Sequence, residues 1–166
     1  HLVRQYLRVF PEDNGKTQLT MIGKSIISSP EYETNIKLLI KDRKDISLMG
    51  YLEWDDIVNN YYGASDLFVH PQYFPMQYDY TFLEAMSSGL PELSINIGCG
   101  RDFINNNFNG MLCNSYDEIG NIMRFLSNNI EICKKWGANS RQRAETKFSP
   151  HICGQQTISL YESLVK

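Results

Sequence analysis

A single acidic side chain stands in an otherwise apolar segment near the middle of the chain. Glu84 lies within the run Phe82–Met86, in a stretch that the pattern predicts to be a helix over 80–88. A carboxylate accepts hydrogen bonds, and it is costly to desolvate unless it is exposed or paired. Glu84 therefore belongs either to a solvated helix face or to a site that holds a polar ligand.

The predicted helix begins directly after a loop rich in Tyr, Gln and Pro. Tyr80 and Thr81 form its first turn, and the loop follows an apolar strand over 67–69 that ends before Pro71. The N-terminus of a helix presents unpaired backbone N–H groups and the positive end of its dipole, and both attract phosphate groups. This first turn is a candidate anion site, with Glu84 one turn further in.

Several short glycine motifs fail as nucleotide-binding loops. Gly15–Thr17 and Gly23–Ser25 both resemble the end of a P-loop, but neither has the glycine that the motif requires five positions earlier. Gly98–Gly100 is only half of a G-x-G-x-x-G fingerprint, because Phe103 occupies the position of the third glycine. No G-x-S-x-G nucleophile motif occurs.

The cysteines and histidines form no metal-binding pattern. No C-x-x-C pair occurs, so neither a zinc site nor a dense disulfide framework is predicted. We expect free thiols in a reduced, cytoplasmic compartment. The residues concerned are Cys99, Cys113, Cys133, Cys153, His1, His70 and His151.

Composition describes an ordinary globular domain. The chain has 166 residues, of which 42% are hydrophobic and 21% charged, and its formal net charge is −3. These values exclude disordered and coiled-coil classes and argue against a basic nucleic-acid binder. No apolar run approaches the roughly 18 residues of a membrane helix, and the N-terminus has no signal-peptide pattern.

The elements that must position these side chains are short strands alternating with amphipathic helices. This order predicts an α/β fold with a Rossmann-like, mainly parallel sheet flanked by helices, in one domain over 1–166. Ligands bind beyond the carboxyl ends of such strands, here marked by Gly23, Gly50, Pro71 and Gly98. We predict strands near 19–22, 46–49, 67–69, 93–95 and 110–113, and helices near 1–10, 31–42, 55–63, 80–88, 117–129, 131–147 and 150–165.

Several motifs together resemble a known family. The run Tyr61–Pro71 followed by Leu83–Pro91 resembles the A-D-l-f-v-x-P and L-E-A-M-x-x-G-l-P motifs of retaining glycosyltransferases of the GT-B fold, family 4 (group 1). Gly50–Leu52, Gly98–Ile104 and Asn109–Gly110 extend the match over nearly the whole chain. The similarity is to the C-terminal, nucleotide-sugar-binding domain of those enzymes.

The resemblance implies a role for each part of the site. Glu84 would accept hydrogen bonds from the ribose hydroxyls, and the first turn of its helix would hold the diphosphate. The glycines of the 98–100 turn would let the main chain approach the donor sugar. The implied contacts are Tyr51, Leu52, Gly23, Lys24 and Glu84 for the nucleotide, Tyr80 and Thr81 for the diphosphate, and Met76, Gln77, Tyr78, Gly98, Cys99 and Gly100 for the sugar.

The same resemblance implies the partners. The substrate would be a nucleotide-diphosphate sugar, with no cofactor and no metal. A glycan, lipid or protein acceptor would be held by an N-terminal domain, and we expect no nucleic-acid partner. The expected location is cytoplasmic, including the inner face of a membrane, in glycan biosynthesis.

The sequence departs from the family at four positions. Met76 stands where the family has a second acid, eight residues before Glu84, that contacts the transferred sugar. Asp79 stands where the family often has glycine, and it could cap the helix. An added anion there would repel a diphosphate, so either its side chain turns away or donor binding is weak. Glu92 replaces a valine at the start of a buried strand, and Asp102 replaces a glutamate conservatively. These changes put the usual donor chemistry in question.

The first predicted element is the helix over 1–10. In the family, a central strand and a loop bearing an Arg and a Lys precede it, and those cations neutralise the leaving diphosphate. Arg4 and Arg8 fall on the polar face of the helix and do not replace them. We therefore expect a fragment, inactive alone, that lacks this strand and the acceptor domain. The neighbouring strands would close up, or a vestige or another chain would fill the gap.

Three functions fit these observations. The first is the donor-binding half of a hexosyltransferase that transfers sugar with retention. The second is a binding or regulatory module that keeps the fold without catalysis, which Met76, Asp79 and Glu92 favour. The third is a sugar-nucleotide epimerase of similar architecture, which the lack of an acid or base motif disfavours.

Overall fold

The computed structural model describes residues 1–23, 30–75 and 78–165. Helices and strands alternate along it: α1 (Leu2–Val9), β1 (Leu19–Ile22), α2 (Pro30–Ile40), β2 (Ile46–Gly50), α3 (Trp54–Asp56), β3 (Phe68–His70), α4 (Tyr80–Ser87), β4 (Glu92–Ile95), α5 (Gly100–Phe103), β5 (Gly110–Cys113), α6 (Tyr116–Ser127), α7 (Ile130–Arg143) and α8 (Pro150–Leu164). π-Helical segments continue α3 through Ile57–Tyr62 and α7 through Ala144–Phe148. None of the described helices is both long and apolar enough to cross a membrane.

All ladders between these strands are parallel, which confirms the predicted α/β class. β1 pairs with β2, and β4 lies between β3 and β5. In the larger ladder, Leu93 of β4 lies opposite Val69 on one side and Met111 on the other. The carboxyl ends of the strands in each ladder therefore lie at one edge. This is the edge at which we predicted that the loops bind a ligand.

The strands form two separate ladders. Among the described residues, β1 and β2 make one ladder, and no strand connects it to β3, β4 and β5. Leu19 of β1 and Val69 of β3 nevertheless pack against the same buried cluster. The two ladders thus share a hydrophobic core without sharing hydrogen bonds. Of the three alternatives for the missing strand, closing up of its neighbours does not occur among the described strands.

Helix α1 packs along α6. Its buried face consists of Leu2, Val3, Tyr6 and Val9. Arg8 lies on the polar face, as predicted, and its Nη2 donates to the Asp117 carbonyl at 2.8 Å and to Asn121 Oδ1 at 3.0 Å. These bonds join α1 to α6, so Arg8 serves to dock two helices.

Helix α4 lies on the larger ladder through an aromatic cluster. Phe82 is fully buried and stacks on Phe103 of α5 with 5.3 Å between ring centroids. Behind it, α7 approaches the end of α4 so closely that a Cβ on Gly137 would lie 2.1 Å from the Gly89 carbonyl oxygen. Only glycine permits that approach, and these contacts fix the position of Glu84.

Glu92 is a fully buried acid at the start of β4, as the sequence predicted. Neither of its carboxylate oxygens has a hydrogen-bond partner among the described residues. The guanidinium of Arg143 donates instead to the carbonyl oxygens of Asp102 and Phe103. Burial raises the pKa of Glu92 well above its ordinary value, although the charge of Arg143 opposes the rise.

We predict that Glu92→Val increases the free energy of unfolding by about 1–3 kcal/mol near neutral pH, because a buried polar group without a partner costs about that much. The raised pKa means that the folded chain keeps a proton that the unfolded chain has lost. This proton contributes its full stabilisation of the fold below pH 4.5, the ordinary pKa of a glutamate. The contribution is lost as the pH rises through the raised pKa of Glu92 in the folded chain. The advantage of the variant should therefore grow with pH.

Urea unfolding of both proteins across this pH range measures the difference. The matched control is Glu162→Gln, which removes an exposed carboxylate on α8 and should change the free energy of unfolding by less than about 0.5 kcal/mol, as is usual for a surface substitution. A Glu92→Val protein that is less stable than the wild type at every pH would contradict the account.

Candidate functional site

The candidate site lies where the chain leaves β2 and β3 and enters the next helices. Residues 51–53 connect β2 to α3, and the loop after β3 leads into α4. Gly23, at the end of β1, donates its N–H to the Gly50 carbonyl at 2.8 Å. The ends of β1 and β2 are thereby held together beside the segment that contains Tyr51 and Leu52.

The carboxylate of Glu84 is held by two donors from one neighbouring segment. The indole Nε1–H of Trp54 donates to Oε1 at 3.0 Å, and the phenol of Tyr62 donates to Oε2 at 3.0 Å. Trp54 opens α3, and Tyr62 ends the π-helical continuation of that helix. Glu84 is therefore a paired and half-buried carboxylate, not part of a freely solvated helix face.

The two donors differ in their surroundings. Tyr62 is only 7% exposed, whereas Trp54 is 59% exposed. Burial raises the pKa of the Tyr62 phenol above its ordinary value, and the negative charge of Glu84 raises it further. Tyr62 consequently remains a protonated donor throughout the physiological pH range.

A cavity of about 480 Å³ adjoins this group. Its volume falls in the range of small-molecule sites in proteins, roughly 300–1,000 Å³. Aromatic and apolar side chains line it together with one acid and one cation. The lining residues are Trp54, Val58, Gly63, Tyr80, Leu83, Glu84, Ser87, Ser88 and Arg141.

Asp79 caps the N-terminus of α4. Its Oδ1 accepts the backbone N–H of Thr81 at 3.0 Å and the Thr81 hydroxyl at 2.8 Å. Its Oδ2 lies 2.7 Å from His70 Nε2. Burial raises the pKa of Asp79, but the hydrogen bonds from Thr81 and the contact with His70 outweigh it, so the pKa lies below its ordinary value.

The structure confirms that Asp79 caps the helix, and its carboxylate does not turn away from the helix terminus. Its side chain turns onto the helix terminus and towards His70. In this structure the Thr81 N–H is therefore already engaged by a carboxylate of the protein itself. Tyr80, the other residue predicted to contact a diphosphate, is 70% exposed at the cavity wall.

The turn after β4 brings a buried thiol beneath the loop of β3. Gly98 has a positive φ of 57°, a conformation that favours glycine. Cys99 is 3% exposed, and its Sγ lies 3.8 Å from Nε2 of Gln72, itself 3% exposed. Gly100 begins α5. Cys99 and Gly100 are both buried, so within this turn only the half-buried Gly98 is accessible to a ligand.

The other predicted contacts lie in different parts of this edge. Tyr51 is 66% exposed and donates its hydroxyl to Glu53, while Leu52 is half-buried. Tyr78 packs edge-on against Tyr80 and Phe103. Lys24, Met76 and Gln77 lie outside the residues that the structure describes.

Sequence reasoning missed the partners of Glu84. Tyr62 belongs to the motif that carries the resemblance, but the motif implies no contact for it, and Trp54 lies outside the motifs. The available signal was weak: a tryptophan two residues after Leu52, in a segment already expected to line the nucleotide. Nothing local indicates that its indole reaches a carboxylate 30 residues further along.

The chain resembles several solved structures of low sequence identity. Anabaena HepE, determined in complex with UDP-glucose, superposes with a TM-score of 0.80 at 16% identity, over 96% of this chain and 44% of that one. A glycosyltransferase of Rickettsia africae ESF-5 superposes with a TM-score of 0.79 at 23% identity, over 99% of this chain and 44% of that one. WaaG, a glycosyltransferase involved in lipopolysaccharide biosynthesis, superposes with a TM-score of 0.71 at 19% identity, over 88% of this chain and 38% of that one.

These similarities confirm the fold of a C-terminal half of GT-B enzymes. The chain spans less than half the length of these proteins. No curated protein sequence matches it at a significant level. The family described as glycosyl transferases group 1 matches residues 1–143. With most of its length covered by that family, the chain belongs to the group 1 glycosyltransferases.

Proposed function

We propose that this chain binds the donor in a retaining hexosyltransferase that uses a nucleotide-diphosphate sugar. The observation that carries the proposal is the Glu84 carboxylate, held at a cavity wall one turn inside α4. A paired carboxylate with free acceptor positions suits the vicinal hydroxyls of a ribose. HepE, a similar structure, was determined with UDP-glucose, so we take a uridine nucleotide as the first ligand to test.

Each predicted contact is assigned to one part of the donor: the base, the ribose, the diphosphate or the sugar. Tyr51, Leu52, Gly23 and Lys24 flank the base, and Glu84 takes the ribose. The diphosphate lies at the first turn of α4, at Tyr80 and Thr81. The Thr81 N–H would reach it only by exchanging its present acceptor, Asp79 Oδ1. Met76, Gln77, Tyr78 and the turn of Gly98, Cys99 and Gly100 surround the sugar.

In the proposed reaction these residues bind and orient the donor. Main-chain N–H groups and the α4 dipole offset part of the diphosphate charge as the bond to the sugar breaks. The negative charge of Asp79 at the start of α4 opposes this effect. The acceptor attacks the same face of the sugar that the diphosphate leaves.

We further propose that an acceptor-binding domain completes the protein. Two observations support this. The chain spans 44% of the length of similar glycosyltransferases. Helix α8 has no buried residue among those described and exposes Ile158, Leu160 and Tyr161. The two separate ladders likewise support a further strand between the parts of the sheet.

A binding module without catalysis is the second candidate. The specific observation that favours it is the Asp79 carboxylate on the Thr81 N–H, at the place where a diphosphate would lie. Such a module would bind nucleosides well and would gain little affinity from the phosphates. The two candidates therefore differ in their affinity for the charged part of the donor.

We predict that Glu84→Ala weakens UDP binding by about 1–3 kcal/mol, the range for hydrogen bonds to a charged group. Calorimetric titration of the protein with UDP measures the loss. The control is Glu131→Ala, which removes an exposed acid on α7 that pairs with Lys134 and contacts none of the predicted site residues. Equal affinities of the wild type and Glu84→Ala would overturn the proposed ribose contact.

Met76 makes a second prediction. With a thioether in place of the family's acid, the donor sugar lacks a charged acceptor worth roughly 1.5–3 kcal/mol, or about 10- to 150-fold in affinity. The protein should therefore bind UDP and UDP-sugars with similar affinity, and Met76→Glu should create a preference for the conjugate. A wild type that prefers one UDP-sugar more than about 100-fold would contradict this.

Asp79 separates the two candidate functions. Asp79→Asn keeps an oxygen that can cap α4 but removes the negative charge. We expect the ratio of UDP affinity to uridine affinity to rise by about two- to fivefold, because a surface charge interaction contributes about 0.3–1 kcal/mol. Parallel titrations with the two ligands provide the ratio. A ratio that falls would indicate that the Asp79–His70 pair supports phosphate binding.

A further inference from the structure

The hydrogen bonds at Glu84 leave a defined set of acceptor positions. Each carboxylate oxygen has about two acceptor positions. Trp54 uses one position on Oε1, and Tyr62 uses one position on Oε2. With the donors of residues 1–23, 30–75 and 78–165 counted, one position remains on each oxygen, which is the arrangement that two neighbouring hydroxyl groups need.

The same two bonds restrict rotation of the carboxylate. A glutamate side chain with a free terminal group samples many orientations, since its last torsion is broad. Here a donor on each oxygen selects one plane for the group. The two donors come from opposite ends of one helical segment, so the orientation depends on the path of residues 54–62.

Trp54 is the unusual partner of the two. Tyr62 is buried beside Phe68, with 6.1 Å between the ring centroids, and has a packing role of its own. Trp54 is largely exposed and lies on the cavity wall. Its indole N–H donates to Glu84. The exposed indole therefore contacts the carboxylate and is not part of the core.

We infer that Trp54 is a positioning residue that makes the site selective for ribonucleotides over 2′-deoxyribonucleotides. Trp54 and Tyr62 orient the Glu84 carboxylate so that its two remaining acceptor positions meet the 2′- and 3′-hydroxyls together. The indole need not leave when the ligand binds. This inference rests on the proposed function, because it assigns the selectivity of the same nucleotide site.

The bond itself is tested without ligand. In a ¹H–¹⁵N spectrum, the Trp54 indole proton should resonate downfield of a solvent-exposed indole and is assigned by its loss in Trp54→Phe. Glu84→Ala should move that resonance upfield and leave the resonance of Trp136, buried in the core, in place. An indole resonance of Trp54 that does not move in Glu84→Ala would overturn the inference.

The selectivity is tested with UDP and 2′-deoxy-UDP. We expect the wild type to prefer UDP, and Trp54→Phe to reduce that preference about three- to tenfold, the range of one ordinary hydrogen bond. Tyr62→Phe should act in the same direction. Tyr61→Phe, the neighbouring residue on the same segment, is the matched control and should retain the wild-type ratio.

The outcomes separate this inference from the function on which it rests. If Trp54→Phe weakens both nucleotides equally, Trp54 only packs against the ligand, and the inference fails while the proposed function stands. If the wild type prefers UDP and Glu84→Ala removes that preference but Trp54→Phe does not, the inference alone fails again. If the wild type binds neither nucleotide, both fail.

Discussion

The hydrogen bond from the Thr81 N–H to Asp79 determines where α4 begins, and much of the site depends on that helix start. One turn further along, Glu84 reaches the cavity, while Phe82 on another face enters the aromatic cluster beneath. Gly137 lets α7 close against the end of the helix. A shift in the start of α4 would therefore disturb the core and the carboxylate together.

Two acids in this part of the fold have opposite environments. Glu84 has a donor on each oxygen and sits at the edge of a cavity. Glu92 lies in the sheet beneath, fully buried and without a donor among the described residues. A paired, accessible carboxylate can recognise a ligand, whereas an unpaired buried one mainly reduces stability near neutral pH. The same residue type thus supports function at one position and costs stability at the other.

The positions of the strands along the chain, the parallel class and the place of Glu84 on a helix were predictable because they depend on short-range signals. Apolar runs ending at Gly50 or Pro71 indicate strands, and the L-E-A-M motif places the acid on a helix. The division into two ladders was not predictable, because strand pairing depends on contacts between distant segments. The contact of Trp54 with Glu84 was missed for the same reason, since it joins side chains 30 residues apart. The helix cap by Asp79 was predictable from a local rule, because Asp is a common N-cap residue. The contact between Asp79 and His70 was not, because it is visible only in the structure.

A crystal structure of the protein with UDP tests the central claim most directly. The account predicts that the ribose hydroxyls lie within hydrogen-bond distance of both Glu84 oxygens, while Trp54 and Tyr62 keep their bonds to the same carboxylate. The diphosphate should lie against the first turn of α4. UDP bound elsewhere on the domain, or a ribose that does not contact Glu84, would contradict the account.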